Sequence, residues 1–283
     1  MKKLLSVVAL GACLVVSSVY ADEAKQPVKV EVTKQQSGTV INLAGKQRML
    51  TQKMSKEALF IAKSIDVEKN KEALKKTEEL FDKTLNGLIN GDKDLNLPKT
   101  EDKDILAQLQ KVQELWTPFK ANIDKVVEGK SDKATLEAIA KENIPLLKEM
   151  NKAVGMYAKA SGSKLDPEMA KTINRAGKQR MLTQKMTKEL LLVANGIDAD
   201  ANKENLKKTA ELFESTLKDL TDKCKSDDIK KQLGVVAKIW GDYKPIIEKA
   251  DTSDDALKKA EELNIPLLKE MNKAVKMYEA SIK

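Results

Sequence analysis

Residues 44–54 read AGKQRMLTQKM, and the same eleven letters return at residues 176–186. An Ile-Asn pair stands shortly before each copy, at residues 41–42 and again at residues 173–174. Chance cannot produce a match of this length, so the chain contains a duplicated module. A duplication decides the architecture before any local pattern is considered, because each copy must form the same unit.

Two further blocks show that the duplication extends over most of the chain. Residues 143–154 (NIPLLKEMNKAV) are identical to residues 264–275. Residues 70–85 (NKEALKKTEELFDKTL) closely match residues 202–217 (NKENLKKTAELFESTL). The spacing between matching blocks shrinks along the chain, which places the length differences in loops between helices. Ala, Leu, Lys and Glu dominate, as is typical of long helices.

The pattern within each repeat is helical, with four apolar periodic segments separated by short breaks. In the first repeat we predict helices over residues 37–64, 70–88, 101–128 and 131–160. The predicted fold class is therefore all-α, as two tandem up-down four-helix bundles. The first bundle covers residues 37–162 and the second covers residues 163–283.

The seam SGSKLDP, at residues 161–167, bears on how the two bundles are arranged. An up-down four-helix bundle has both ends at one pole, so a short seam lets the second bundle stand beside the first. The first helix of each repeat then lies near its copy. The alternative is an end-to-end stack through a continuous helix, which Gly162 and Pro167 disfavour. A monomer with an internal pseudo-dimer and a homodimer both stay open.

The N-terminus has the three parts of a secretory signal: a positive start, an apolar run at residues 4–16 and a small-residue cleavage site ending at Ala21. We predict a signal peptide at residues 1–21, followed by a polar leader at residues 22–36. The alternatives are an uncleaved anchor, for which the apolar run is short, and a lipoprotein attached through Cys13. The expected product is exported to a periplasm and does not span the membrane.

Several function classes are excluded by missing residue types. The chain has no His and only two Cys, Cys13 and Cys224. His-ligated haem, Ser-His or Cys-His catalysis and nearly every zinc site are thereby removed. The net charge of +8 comes from lysines spread among glutamates, as on a solvated helix face, and no nucleic-acid motif is present. We predict a protein that is not an enzyme, uses no metal or cofactor and binds no nucleic acid.

The first helix of each repeat has two distinct faces at 100° per residue. One is apolar and is expected in the core, with Leu43, Leu50, Met54, Ile61 and Ile65. The other is small and polar at its centre, as expected where a helix meets a partner helix around a polar pocket. Its members are the candidate ligand-binding residues: Gly45, Arg48 and Gln52 in the first copy, and Gly177, Arg180 and Gln184 in the second.

The arginine on this face suits a small anion. A guanidinium donates two parallel hydrogen bonds to a planar oxyanion and keeps its proton. Gly45, one turn before Arg48, removes side-chain bulk where a ligand or a neighbouring backbone would approach. The structural alternative is an arginine that forms a salt bridge with a glutamate, here Glu149 or Glu57, and only holds the bundles together.

The two segments INLAGKQRMLTQKM and INRAGKQRMLTQKM resemble the signature of the type IV pilus chemoreceptor N-terminal domain family, which is related to the nitrate/nitrite sensor domain of bacterial histidine kinases. The relation to the nitrate sensors implies periplasmic four-helix bundles in which an arginine of the first helix binds nitrate at a dimer interface. The pilus chemoreceptor branch does not imply nitrate, so the ligand stays open. By motif position these arginines are Arg48 and Arg180, and Gly45 and Gly177 match the family glycine.

Two departures from the family accompany the resemblance. Lysine stands where family members often have arginine, at Lys46, Lys53, Lys178 and Lys185. Family members are usually anchored receptors with output domains, whereas this sequence shows no pattern of either, so we expect a detached pair of sensor domains. The predicted function is a periplasmic protein that binds a small inorganic anion, nitrate or nitrite, and reports to a membrane-bound chemoreceptor or sensor kinase. The alternative is a structural or adaptor protein.

Overall fold

The computed structural model describes residues 32–282, and eight α-helices occupy most of this range. They are α1 (Lys34–Ala62), α2 (Val67–Asn90), α3 (Lys103–Val127), α4 (Lys133–Ala160), α5 (Pro167–Ala194), α6 (Ala199–Lys223), α7 (Asp227–Lys249) and α8 (Asp254–Ala280). A 3₁₀ turn, Ser161–Ser163, follows α4, and a single isolated β-bridge joins Asp92 to Leu97. The all-α prediction is confirmed. The predicted signal peptide lies outside the described residues.

The predicted leader was too long at its C-terminal end, because α1 begins at Lys34. The cause is a capping box at Thr33. The Thr33 hydroxyl accepts from the Gln36 backbone N–H, and the Gln36 side chain accepts from the Thr33 N–H. Two donors that the first turn would leave unpaired are satisfied in this way, so the helix starts earlier than its apolar periodicity suggests.

The connections after α1 and α5 are shorter than predicted. Asp66 and Asp198 adopt the same left-handed conformation, with φ of 43° at both, immediately before α2 and α6. Asx residues tolerate this conformation better than most, which allows the chain to reverse within a few residues. The second helix of each repeat therefore begins at Val67 or Ala199, a turn before the predicted start.

The centre of the molecule is the contact between α1 and α5, the most extensive contact between any two described helices. The two helices are parallel and in register: Gly38 lies beside Ile173, and Asn195 lies beside the Leu59 carbonyl. Their outer sides pack on α2 and α4, and on α6 and α8, respectively. Side chains on nearly all sides of α1 and α5 are consequently buried.

The predicted core face of α1 is largely buried. Leu50, Met54, Ile61 and Ile65 belong to the core, whereas Leu43 is only half-buried at its margin. The equivalent of Leu43 in the second repeat is Arg175, which forms an ion pair with Asp219. This position therefore lies at the edge of each bundle, where an apolar and a charged side chain are both accommodated.

Candidate functional site

The face of α1 that carries Arg48 meets the equivalent face of α5, and the two guanidinium groups converge there. A Cβ placed on Gly45 would lie 3.3 Å from Nη2 of Arg48 and 3.6 Å from Nη2 of Arg180. A Cβ on Gly177 would lie 3.2 Å from Nη2 of Arg180 and 3.7 Å from Nη2 of Arg48. Both Nη2 atoms thus lie within 3.7 Å of the same point, so they are at most about 7 Å apart. We call the space between these two glycines and two arginines the cradle.

Both arginines are buried without a carboxylate partner among residues 32–282. Arg48 is 1% exposed and Arg180 is 2% exposed, and no ion pair within these residues includes either. The two glutamates considered as salt-bridge partners are engaged elsewhere: Glu57 pairs with Lys53, and Glu149 accepts from Gln108. Buried charge without an ion-pair partner is unfavourable, and an anion between the two guanidiniums would reduce that cost.

Neutral oxygens from both repeats hold the Arg48 guanidinium. Nη1 donates to Asn151 Oδ1 (2.7 Å) on α4 of the same repeat. Nη2 donates to the other repeat, to the side-chain Oδ1 (2.8 Å) and the backbone carbonyl (3.2 Å) of Asn174 on α5. The Nε atom is buried and has no partner among the described residues. The Nε–H therefore remains available.

Arg180 is held in a similar way, but less tightly. Its Nη1 donates to Asn272 Oδ1 at 3.3 Å, and its Nη2 donates to the Asn42 carbonyl at 3.0 Å. Its Nε is likewise buried without a partner in the described part of the chain. A planar anion in the cradle could accept from both guanidiniums through these unused N–H groups.

The electrostatics of the cradle are strongly positive. Burial first, and then the charge of Arg180, lower the pKa of Arg48 to about 9. Burial lowers the pKa of Arg180 to about 10, against an opposing effect of Glu279. Both groups thus stay charged at neutral pH. At the greatest separation that these distances allow, about 7 Å, their mutual repulsion is about 2 kcal/mol for an effective dielectric constant of about 20, and it is larger at any shorter separation.

Two of the lysines at family arginine positions add to this charge. Lys46 and Lys178 are half-buried. Burial first, and next the arginine of the opposite repeat, lower the pKa of each: Arg180 for Lys46, and Arg48 for Lys178. The other two lysines turn away, because Lys53 pairs with Glu57 and its copy Lys185 pairs with Glu189.

The candidate glutamines lie one turn beyond the arginines, in a separate amide network. Gln52 Nε2 donates to Asn143 Oδ1 (2.8 Å), and Gln184 Nε2 donates to Asn264 Oδ1 (2.9 Å). The Oε1 atom of each glutamine is buried without a partner among residues 32–282. The structure gives neither glutamine a hydrogen bond to Arg48 or Arg180, so their ligand-binding role stays a prediction.

The same network contains two buried lysines that the sequence reasoning missed. Each lysine donates to the other repeat: Lys188 to Asn143 at 3.1 Å, and Lys56 to Asn264 at the same distance. Burial lowers the pKa of each ammonium group to about 8. The signal in the sequence was the identical block NIPLLKEMNKAV, which supplies the asparagines that accept from both the lysines and the arginines.

Other kinds of site find no support between residues 32 and 282. No cluster of three or more His, Cys, Asp or Glu side chains in this range could hold a metal ion. None of the helices described combines the length and the apolar character needed to cross a membrane.

Comparisons with known proteins agree with the duplication. The methyl-accepting chemotaxis protein McpN of Pseudomonas aeruginosa is 32% identical over 127 residues, which are 45% of this chain and 23% of that protein. The chain therefore spans about a quarter of the length of this relative. A solved structure described as the ligand-binding domain of the P. aeruginosa nitrate receptor McpN has 30% sequence identity. That match covers 44% of this chain and 96% of the solved chain, with a TM-score of 0.39.

The family model described as the N-terminal region of type IV pili methyl-accepting chemotaxis transducers (PilJ) matches twice, at residues 33–141 and at residues 167–264. These two matches together cover more than half of the chain and include both copies of the arginine motif. The chain belongs to this family of chemotaxis-transducer N-terminal domains, of which it carries two copies in tandem.

Proposed function

We propose that this chain is a periplasmic sensor-type protein that binds nitrate or nitrite in the cradle between its repeats, through Arg48 and Arg180. The observation that carries the proposal is the pair of buried guanidiniums, which share one glycine-lined space without a carboxylate partner in the described residues. A monovalent anion placed between them adds two attractions at shorter distances, which offset a repulsion of about 2 kcal/mol or more.

Size and shape favour a small planar oxyanion. The unpartnered Nε atoms are buried, and Gly45 and Gly177 add no side chain beside the Nη2 atoms of the two arginines. Nitrate and nitrite spread their charge over coplanar oxygens, which matches the donor geometry of a guanidinium. The resemblance to the nitrate/nitrite sensor domains also implies nitrate at the equivalent arginine.

The expected affinity is moderate. A ligand of four heavy atoms reaches at best about −6 kcal/mol at roughly −1.5 kcal/mol per atom, which corresponds to a Kd of tens of micromolar. This range suits a protein that responds to changing concentrations. The anion would alter the packing of α1 against α5, and a membrane-bound chemoreceptor or sensor kinase would read that change.

The second candidate function is a helical adaptor in which the arginines only join the repeats. The observation in its favour is that Arg48 and Arg180 directly join the two repeats through hydrogen bonds to Asn174 and Asn42. The adaptor requires no selectivity for any anion. The sensor requires selective binding that depends on both arginines.

Isothermal titration calorimetry of the protein starting at Asp22 separates the two candidates. We expect saturable heat with nitrate or nitrite, weaker heat with chloride, and at least about a tenfold loss of affinity in Arg48→Ala and in Arg180→Ala. Circular dichroism verifies that both variants stay helical. Binding that survives in both variants, or heat that does not distinguish nitrate from sulfate, contradicts the sensor proposal.

A further inference from the structure

The two halves of the cradle differ in the contact made by one asparagine. On one side, Asn174 Oδ1 accepts from Nη2 of Arg48 at 2.8 Å. On the other side, the equivalent residue Asn42 gives Arg180 only its backbone carbonyl. The Asn42 Oδ1 atom is buried and has no partner among the described residues. Identical motifs thus form unequal half-sites.

The cause lies on α8. Glu279 Oε2 accepts from Asn42 Nδ2 at 2.6 Å, and Glu279 Oε1 accepts from the Thr39 hydroxyl at 2.7 Å. Continuing the alignment of residues 143–154 with residues 264–275 pairs Glu279 with Ala158 on α4. The methyl group of Ala158 can accept nothing, so the amide of Asn174 remains free to turn toward Arg48.

This difference determines which arginine has hydrogen-bond donors to spare. Arg48 commits both Nη2 hydrogens to Asn174 and holds a short Nη1 contact to Asn151. Arg180 commits one Nη2 hydrogen, and its Nη1 contact to Asn272 is 3.3 Å. Arg180 therefore keeps one Nη2–H that Arg48 does not, beside an unpartnered Nε–H, and can offer an oxyanion one hydrogen-bond donor more than Arg48.

We propose that Glu279 is a positioning residue that makes Arg180 the principal anion-binding arginine, by holding the side chain of Asn42 away from it. This inference rests on the proposed anion-binding function. Glu279 acts through Asn42 and need not touch the anion. Arg48 then contributes mainly charge, whereas Arg180 contributes charge together with a two-hydrogen-bond grip.

The test measures nitrate Kd by calorimetry for Arg48→Lys and Arg180→Lys, each in the parent and in Glu279→Ala. Lysine keeps the charge but cannot bind side-on with two hydrogen bonds. In the parent we expect Arg180→Lys to weaken binding about tenfold more than Arg48→Lys, the effect of one charge-assisted hydrogen bond. In Glu279→Ala, which gives position 279 the same residue as its equivalent Ala158, the two effects should agree within about threefold.

A conservative variant separates positioning from charge. Glu279→Gln removes the negative charge but keeps an oxygen that can accept from Asn42, so the inequality between the two arginines should persist. The positioning role is contradicted when Glu279→Gln abolishes the difference between Arg48→Lys and Arg180→Lys as fully as Glu279→Ala does. Equal effects of the two lysine substitutions in the parent contradict it as well. A folded parent that gives no nitrate heat overturns the proposed function and this inference with it, whereas nitrate binding with equal losses overturns this inference alone.

Discussion

Adding one methyl group to the cradle should weaken anion binding while leaving the fold as stable as before, or more so. In Gly45→Ala, the new Cβ lies 3.3 Å and 3.6 Å from the Nη2 atoms of Arg48 and Arg180. The closer contact is tight, but it involves the end of a flexible side chain that can shift by a few tenths of an ångström. Alanine in place of glycine within a helix gains about 1 kcal/mol. We expect a net change in unfolding free energy between about 0 and +1 kcal/mol.

The effect on binding has the opposite sign. An oxyanion needs its oxygens about 2.8 Å from the guanidinium nitrogens, and the methyl group occupies the space beside the same atoms. Loss of one charge-assisted interaction weakens binding roughly tenfold to a hundredfold. Urea unfolding gives the stability, and calorimetry with nitrate gives the affinity.

A matched control comes from α7. Gly241 is an exposed helical glycine with no atom within 4 Å of the Cβ it lacks. Gly241→Ala should show the gain in helix stability without a change in nitrate affinity. Nitrate affinity that is equal in Gly45→Ala and Gly241→Ala would refute the placement of the anion in the cradle. A stability loss above about 2 kcal/mol in Gly45→Ala would show that the glycine is needed for helix packing.

Three further outcomes follow from the structure. First, nitrate at a hundred times its Kd should stabilise the folded protein by about 2.7 kcal/mol and raise the unfolding midpoint by several degrees, which differential scanning calorimetry measures. At the same nitrate concentration the rise in Arg180→Ala should be about half as large or smaller. Second, burial lowers the pKa of Lys56 and of Lys188 to about 8 in the folded protein, below the ordinary value of 10.5. The unfolded chain therefore binds more protons between these pH values, so unfolding free energy should rise with pH from about 8 to about 10.5, by up to about 3 kcal/mol per lysine. Lys56→Met should reduce that rise in urea unfolding at several pH values, and an unchanged slope contradicts the reasoning. Third, Phe213→Ala removes a fully buried ring beside Trp240 and should lower the unfolding free energy by about 3–5 kcal/mol in urea unfolding, with helix content retained at low denaturant.

The helical content could be predicted because apolar periodicity and the exact repetition acted together. Helix ends were less predictable, since they depend on side-chain hydrogen bonds such as the one at Thr33 and on the left-handed residues Asp66 and Asp198. The separation of Arg48 from the apolar face follows from helical geometry alone. The short seam favoured an arrangement in which the first helix of each repeat lies near its copy, and the contact between α1 and α5 agrees with it.

The partners of the arginines could not be predicted, because they depend on the register between α1 and α5. Asn42 and Asn174 precede each motif by a few residues, but only the parallel alignment places each against the arginine of the other repeat. Gln52 was chosen for its position on the same face, and the structure gives it Asn143 as its partner. Spacing along one helix identifies a face, whereas the contacts of that face require the neighbouring helices.

Joining both first helices in one polypeptide has a consequence for how the protein responds to dilution. A site formed between two separate subunits loses occupancy when the subunits dissociate, so its apparent affinity falls with protein concentration. In this chain α1 and α5 are tethered through residues 63–166, and each meets the other at an effective concentration set by the fold. The response to an anion should therefore be the same whether a cell holds few copies of the protein or many.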